Sequence, residues 1–66
     1  MQVMLNGEAK QIAAPMSVQD LLESLGLDPR KIAVERNLEI VPRSALAQVA
    51  VEDGDDFEIV TFVGGG

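Results

Sequence analysis

One short amphipathic helix is written into the first half of this chain, and it constrains what the rest can become. Val18, Leu21, Leu22 and Leu25 recur at i, i+3, i+4 and i+7, a single apolar stripe. Gln19, Asp20, Glu23 and Ser24 take the opposite side. Ser17 stands where an N-cap is needed, and Asp20, three residues on, is placed as its capping-box partner. Gly26 supplies the left-handed stop and Pro29 prevents continuation. A helix of about two and a half turns with a leucine stripe is not stable alone. Another layer must cover it.

The flanking segments read as strands. Met1 to Leu5 places Met1, Val3 and Leu5 on one face, and Asn6-Gly7 is a two-residue hairpin turn. Glu8 to Ala13 returns, with Lys10 and Ile12 on one face and Ala9, Gln11 and Ala13 on the other, until Pro15 breaks it. After the helix, Ile32 to Glu35 is a short strand, Arg36-Asn37 a turn, and Leu38 to Val41 another short strand stopped by Pro42. Ser44 to Val49 has room for a single irregular turn, Asp53-Gly54-Asp55 reads as a tight turn, and Phe57 to Val63 is the last strand. The order is hairpin, helix, strand, short strand, strand. It predicts an α+β layer structure, with a mixed sheet of four to five strands and one main helix across it. A right-handed crossover through the helix brings the third strand into the same sheet.

At 66 residues, 47% of them hydrophobic, the chain has material for one small core. It has no cysteine and no histidine, which removes disulfides, thiol nucleophiles, imidazole bases and the common zinc sites. Eleven acids against five bases give a net charge of −6. Such a surface disfavours nucleic acid and anionic membranes. No apolar run reaches membrane-spanning length, and Met1 to Met4 lacks the basic and apolar regions of a signal peptide. The expectation is a cytoplasmic protein, monomeric when free. The cluster Glu52, Asp53, Asp55, Asp56 lacks the spacing of a calcium loop and reads as a solvated turn. Arg43 reads as surface charge or a local hydrogen bond, Met1 as core, and Met4 and Met16 remain open.

The chain closes on Gly64, Gly65 and Gly66. Three terminal glycines fit a frayed tail or an expression scar. They also fit a reactive end. Lacking Cβ, glycines can be encircled by another protein's backbone. A terminal carboxylate is an anion at neutral pH and a poor electrophile, but ATP can convert it to an acyl-adenylate open to attack by sulfur or nitrogen. The chain has no phosphate-binding loop, so activation has to come from a partner. The reading divides the chain into a domain at 1–63 and a flexible reactive tail at 64–66.

Several pieces, in order, carry a family resemblance: Asn6-Gly7-Glu8, Ser17-Val18 through Leu22, Ile40-Val41-Pro42-Arg43, Glu52-Asp53-Gly54-Asp55 and Val63-Gly64-Gly65-Gly66. Over essentially its whole length the chain resembles the ThiS family, the ubiquitin-like sulfur carriers of thiamine thiazole biosynthesis. The resemblance implies a β-grasp fold, with Leu46 standing where family members often carry an aromatic. It implies that an E1-like adenylyltransferase (ThiF-like) uses ATP and magnesium to adenylate the Gly66 carboxylate, with no cofactor bound by the carrier itself. A sulfur donor protein then gives a Gly66 thiocarboxylate, and thiazole synthase (ThiG-like) takes that sulfur into the thiazole ring. The protein would be a carrier and co-substrate rather than an enzyme. The alternatives are the small subunit of molybdopterin synthase, a ubiquitin-like protein modifier joined through Gly66, and a plain interaction domain.

Strand parity adds a docking expectation. Phe57, Ile59 and Thr61 share one face, and Glu58, Val60 and Phe62 the other. A charged Glu58 assigns its face to solvent. That leaves Val60 and Phe62 as an exposed apolar anchor for partners, flanked by acidic residues, unless Phe62 folds back on the sheet edge.

Overall fold

The computed structural model describes residues 1–62; Val63, and with it the expected roles of Gly64, Gly65 and Gly66, lie outside the described residues. Strands β1 (Gln2–Leu5), β2 (Glu8–Gln11), β3 (Ile32–Arg36), β4 (Glu39–Ile40) and β5 (Asp56–Thr61) form one sheet in the order β2-β1-β5-β3-β4. The β1–β5 pair is parallel and the others are antiparallel. Helix α1 (Val18–Ser24) lies across the sheet. The mixed five-stranded sheet and its single main helix are the expected β-grasp arrangement. The third strand joins the same sheet, with β5 inserted between it and the hairpin.

Each element has a local cause. Asn6 and Gly7, with φ of 48° and 84°, make the two-residue turn whose twist matches the strands it joins. The helix begins where the Asp20 backbone N–H donates to the Ser17 hydroxyl at 3.0 Å and the Ser17 N–H donates to the Asp20 carboxylate at 3.1 Å. Gly26, with φ of 74°, ends it after about two turns. Val18, Leu21 and Leu22 are buried and Leu25 is half-buried. Their partners are Val3 from β1, Ile32 and Val34 from β3, Phe57 from β5, and Leu46 and Val51 from the long connection before β5. Leu46 thus packs in the core, reached through a 3₁₀ turn at Arg43–Ala45. Met1 and Met16 pack against the same cluster.

The turn between β3 and β4 differs from the expectation of Arg36-Asn37. Arg36 pairs with Glu39, so the two-residue loop is Asn37-Leu38, with φ of 52° and 72°. Leucine at a position that normally takes glycine hid the turn. The return strand β2 stops at Gln11, short of Ala13, and its four residues are exposed.

The acidic turn also departs from expectation. Asp55 is only 5% exposed and is not part of a solvated loop. Its carboxylate accepts from Arg36 Nε at 2.8 Å, from Asn37 Nδ2 at 3.0 Å and from the Glu52 backbone N–H at 2.8 Å. Arg36 also reaches Glu52 at 2.9 Å. Asp53 is used differently: it accepts from the Gln2 backbone N–H at 2.7 Å, tying the turn to β1. Among the described residues no cluster of three or more acids is placed to hold a metal.

Candidate functional site

The site is built on β5, because the glycine-rich residues continue from its C-terminal end. Side chains alternate along this strand. Phe57 is fully buried beneath the helix and Ile59 packs against the core, whereas Glu58, Val60 and Phe62 are exposed. Val60 and Phe62 are 59% and 56% exposed. Phe62 therefore does not fold back under the sheet edge. Its backbone N–H donates to the Lys31 carbonyl at 2.7 Å, which holds the strand line up to the last described residue.

The outer face of the sheet follows from register. Ala33 lies opposite Val60, Glu35 opposite Glu58, and Ile40 opposite Glu35. Ile40 is 64% exposed and faces the same side. A shallow groove of about 200 Å³ runs between Ile40 and Phe62, with Ala33, Pro42 and Arg43 among its walls. Part of the motif Ile40-Val41-Pro42-Arg43 is therefore surface that adjoins the strand leading to the tail. Sequence reasoning identified Val60 and Phe62 but missed Ile40. Ile40 pairs with Glu35 across the Asn37-Leu38 turn, and placing that turn one residue early hid the shared face.

Acidic Glu58 flanks Val60 on the same face, but at the Phe62 end the charge differs from the expected acidic flanks. Lys31 adjoins Phe62 across the strands, and Arg43 lines the groove with it. Arg30, one residue before Lys31, is tied to Asp28 at 2.9 Å. The hydrogen bonds from the Arg30 side chain and backbone hold the Asp28 carboxyl down at about 2. Arg43 donates a local bond to the Arg30 carbonyl at 3.3 Å. The acids of the outer face, Asp56, Glu58 and Glu35, lie toward the other end of β5. The correction has a simple cause: Lys31 and Arg43 are far from Phe62 in sequence, while Asp56 and Glu58 are near it.

The Arg36–Asp55 pair fixes that acidic end. Burial pushes the Asp55 carboxyl up, but hydrogen bonds from Arg36, the Glu52 backbone and Asn37, with the Arg36 charge, outweigh it and hold the group below its ordinary value. The same hydrogen bond, donated by Arg36 to Asp55, raises Arg36. What the arrangement offers is a hydrogen-bonded strand end, an apolar face and an oriented charge pattern around the last described residues.

Comparison with known proteins bears on this arrangement. The "Thiazole synthase" of Paramagnetospirillum magneticum is 61% identical over all 66 residues, and that of Magnetococcus marinus 41%. The chain spans about a fifth of the length of those two relatives, 20% in each case. The "Sulfur carrier protein ThiS" of Escherichia coli is 39% identical, with 100% of both chains covered. The crystal structure of a thiamine biosynthesis protein (ThiS) from Geobacter metallireducens superposes with a TM-score of 0.86 at 33% identity, covering 100% of both chains. The sequence profile of the ThiS family matches residues 3–66. Profile, relatives and fold agree, and this chain belongs to the ThiS family.

Proposed function

We propose that the protein is a sulfur carrier for thiazole formation in thiamine biosynthesis, with the Gly66 carboxylate as the group that carries the sulfur. The observation that supports it best is the match of residues 3–66 to the ThiS family, which includes the glycine end. The chemistry follows from what the chain lacks. It has no thiol and no imidazole, so its own side chains offer no route to bound sulfur. A carboxylate becomes a sulfur acceptor once activated. The Gly66 carboxylate attacks the α-phosphorus of ATP and pyrophosphate leaves. Hydrosulfide attacking the acyl carbon displaces AMP and leaves a thiocarboxylate directly. A donor protein's persulfide displaces AMP to give an acyl disulfide, which a thiol reductant then cleaves to the same thiocarboxylate.

In this reading a separate E1-like adenylyltransferase supplies the ATP and magnesium site, and a donor protein supplies the sulfur. Thiazole synthase consumes the thiocarboxylate and returns the carboxylate. Gly64 and Gly65 let a narrow site close around the chain, because no Cβ widens it. Val60 and Phe62 are the apolar anchor for these enzymes, and Lys31 and Arg43 beside Phe62 select an acidic border on the partner. The carrier contributes no acid–base residue and works as a cytoplasmic monomer.

The test is a pair of variants incubated with the adenylyltransferase, ATP, magnesium and a sulfur donor. Deleting Gly66, or adding one residue after it, abolishes sulfur loading while the melting curve stays that of the parent. Normal loading of either variant contradicts the assignment. Thiocarboxylate on the parent with no lysine conjugates on a gel separates a carrier from a protein modifier.

A further inference from the structure

Two hairpins in this protein use the same two-residue turn, and one of them uses it at a disadvantage. In the first, Asn6 and Gly7 take the left-handed conformations that the turn requires. In the second, Asn37 and Leu38 do, with Leu38 at φ of 72°. Among the described residues, Leu38 is the only one other than glycine or asparagine with positive φ. A γ-branched side chain there is strained, and glycine would relieve it. Leu38 gains no packing in exchange, because it is 86% exposed, the most exposed large apolar residue of the described chain.

The tip is also held still. Asn37 donates to Asp55 at 3.0 Å and accepts from the Asp56 backbone N–H at 2.9 Å. Its own N–H donates to the Asp56 carbonyl at 2.8 Å. Next to the turn is a second local conflict. Glu35 and Glu58 face each other across β3 and β5 on the outer face, and neither has a salt-bridge partner among the described residues. Like charges directly opposite on a sheet are destabilising. The nearest base in sequence, Arg36, is committed to Asp55 and Glu52.

Both conflicts ease in one kind of complex. An apolar pocket would cover Leu38, and Arg or Lys around its rim would neutralise Glu35, Glu58 and Glu39. We propose that the Leu38 turn is a second docking point, roughly 17 Å along β5 from Phe62, fitted to a basic-rimmed apolar pocket on thiazole synthase. The proposal rests on the carrier reading above. Thiazole synthase is the partner because relatives bearing that name carry, within one longer polypeptide, a segment 61% or 41% identical to this chain. A second copy docked tip to tip is disfavoured, since it would set acids against acids. Two separated contacts also fix the direction in which the chain end is presented, which one apolar patch cannot do.

The test uses two substitutions that ease the fold while removing the contact. Leu38→Gly recreates the Asn-Gly turn of the first hairpin, and Glu58→Gln removes the like-charge pair. Binding to purified thiazole synthase is measured by calorimetry, with thermal melts of each variant and sulfur loading by the adenylyltransferase at saturating concentration. Leu38→Gly is expected to weaken binding about tenfold, or about 1.4 kcal/mol, and Glu58→Gln several-fold. Both variants should melt at or above the parent temperature and load normally. Leu38→Asn, which also tolerates the left-handed conformation, should match Leu38→Gly in binding. Unchanged affinity overturns the proposal, as does a loss confined to the adenylyltransferase or a lower melting temperature in Leu38→Gly. A parent chain that binds thiazole synthase but never accepts sulfur overturns the carrier reading instead. A parent that does not bind the synthase overturns the docking point.

Discussion

Asp55 is where three segments converge: the β3–β4 turn, the Glu52 loop and the start of β5. Its charge matters because three donors point at a carboxylate that water barely reaches. Asp55→Asn keeps the shape and removes the charge, and is expected to lower stability at neutral pH by about 2 kcal/mol, or roughly 8–16 °C in melting temperature for a domain of this size. The pH dependence has a definite sign. The folded-state pKa lies below the ordinary aspartate value of 3.8, so the stabilisation is fully present above that value and is lost as pH falls through the folded pKa. Denaturant melts of parent and Asp55→Asn should therefore differ at pH 7 and converge in strong acid. A gap of constant size down to low pH contradicts the role given to this carboxylate. Leu38 is the opposite kind of residue, one that the fold tolerates rather than uses.

The elements differ in how much of their cause is local, and so in how readable they were. Helix α1 was legible because its cap, stripe and stop all lie between Ser17 and Gly26. Ser17→Ala should lower stability by about 1 kcal/mol, read as a shift in the thermal midpoint. The first hairpin was legible from Asn6-Gly7. The second was misplaced by one residue because Leu38 gives no turn signal. Asp55 was misjudged because its partner Arg36 is distant in sequence, and an acidic stretch looks solvated until the fold supplies a base. Alternation along β5 separated Phe57 from Phe62 without any structure, since Glu58 fixes the solvent side. That separation yields a contrast between two aromatics in one strand. Phe57→Ala empties the core and costs about 3–5 kcal/mol, which is the whole stability typical of so small a domain, so the chain should be largely unfolded by circular dichroism. Phe62→Ala should melt like the parent yet bind the adenylyltransferase about tenfold more weakly, roughly 1.4 kcal/mol. If Phe62→Ala lowers the melting temperature as Phe57→Ala does, the face assignment is wrong.

At the scale of the whole molecule, the net charge of −6 conceals a polarity. Three of the five bases, Arg30, Lys31 and Arg43, lie in the segments around the Phe62 end. Asp55, Asp56, Glu58, Glu35 and Glu39 gather at the other end of β5, where only Arg36 offsets them. The composition suggested uniform acidity because it counts charges without placing them. A polarised sheet suits the carrier role proposed above, in which one end of the chain is presented to successive enzymes in a fixed direction. The central claim is that this end carries sulfur on Gly66. Intact-mass analysis of the full chain, incubated with the adenylyltransferase, ATP, magnesium and a sulfur donor, tests it most directly. The account predicts a gain equal to the exchange of one oxygen for one sulfur, mapped by fragmentation to Gly66 and reversed when thiazole synthase and its other substrates are added. An unchanged mass under conditions that load the Escherichia coli carrier, or sulfur mapped to any residue other than Gly66, contradicts it.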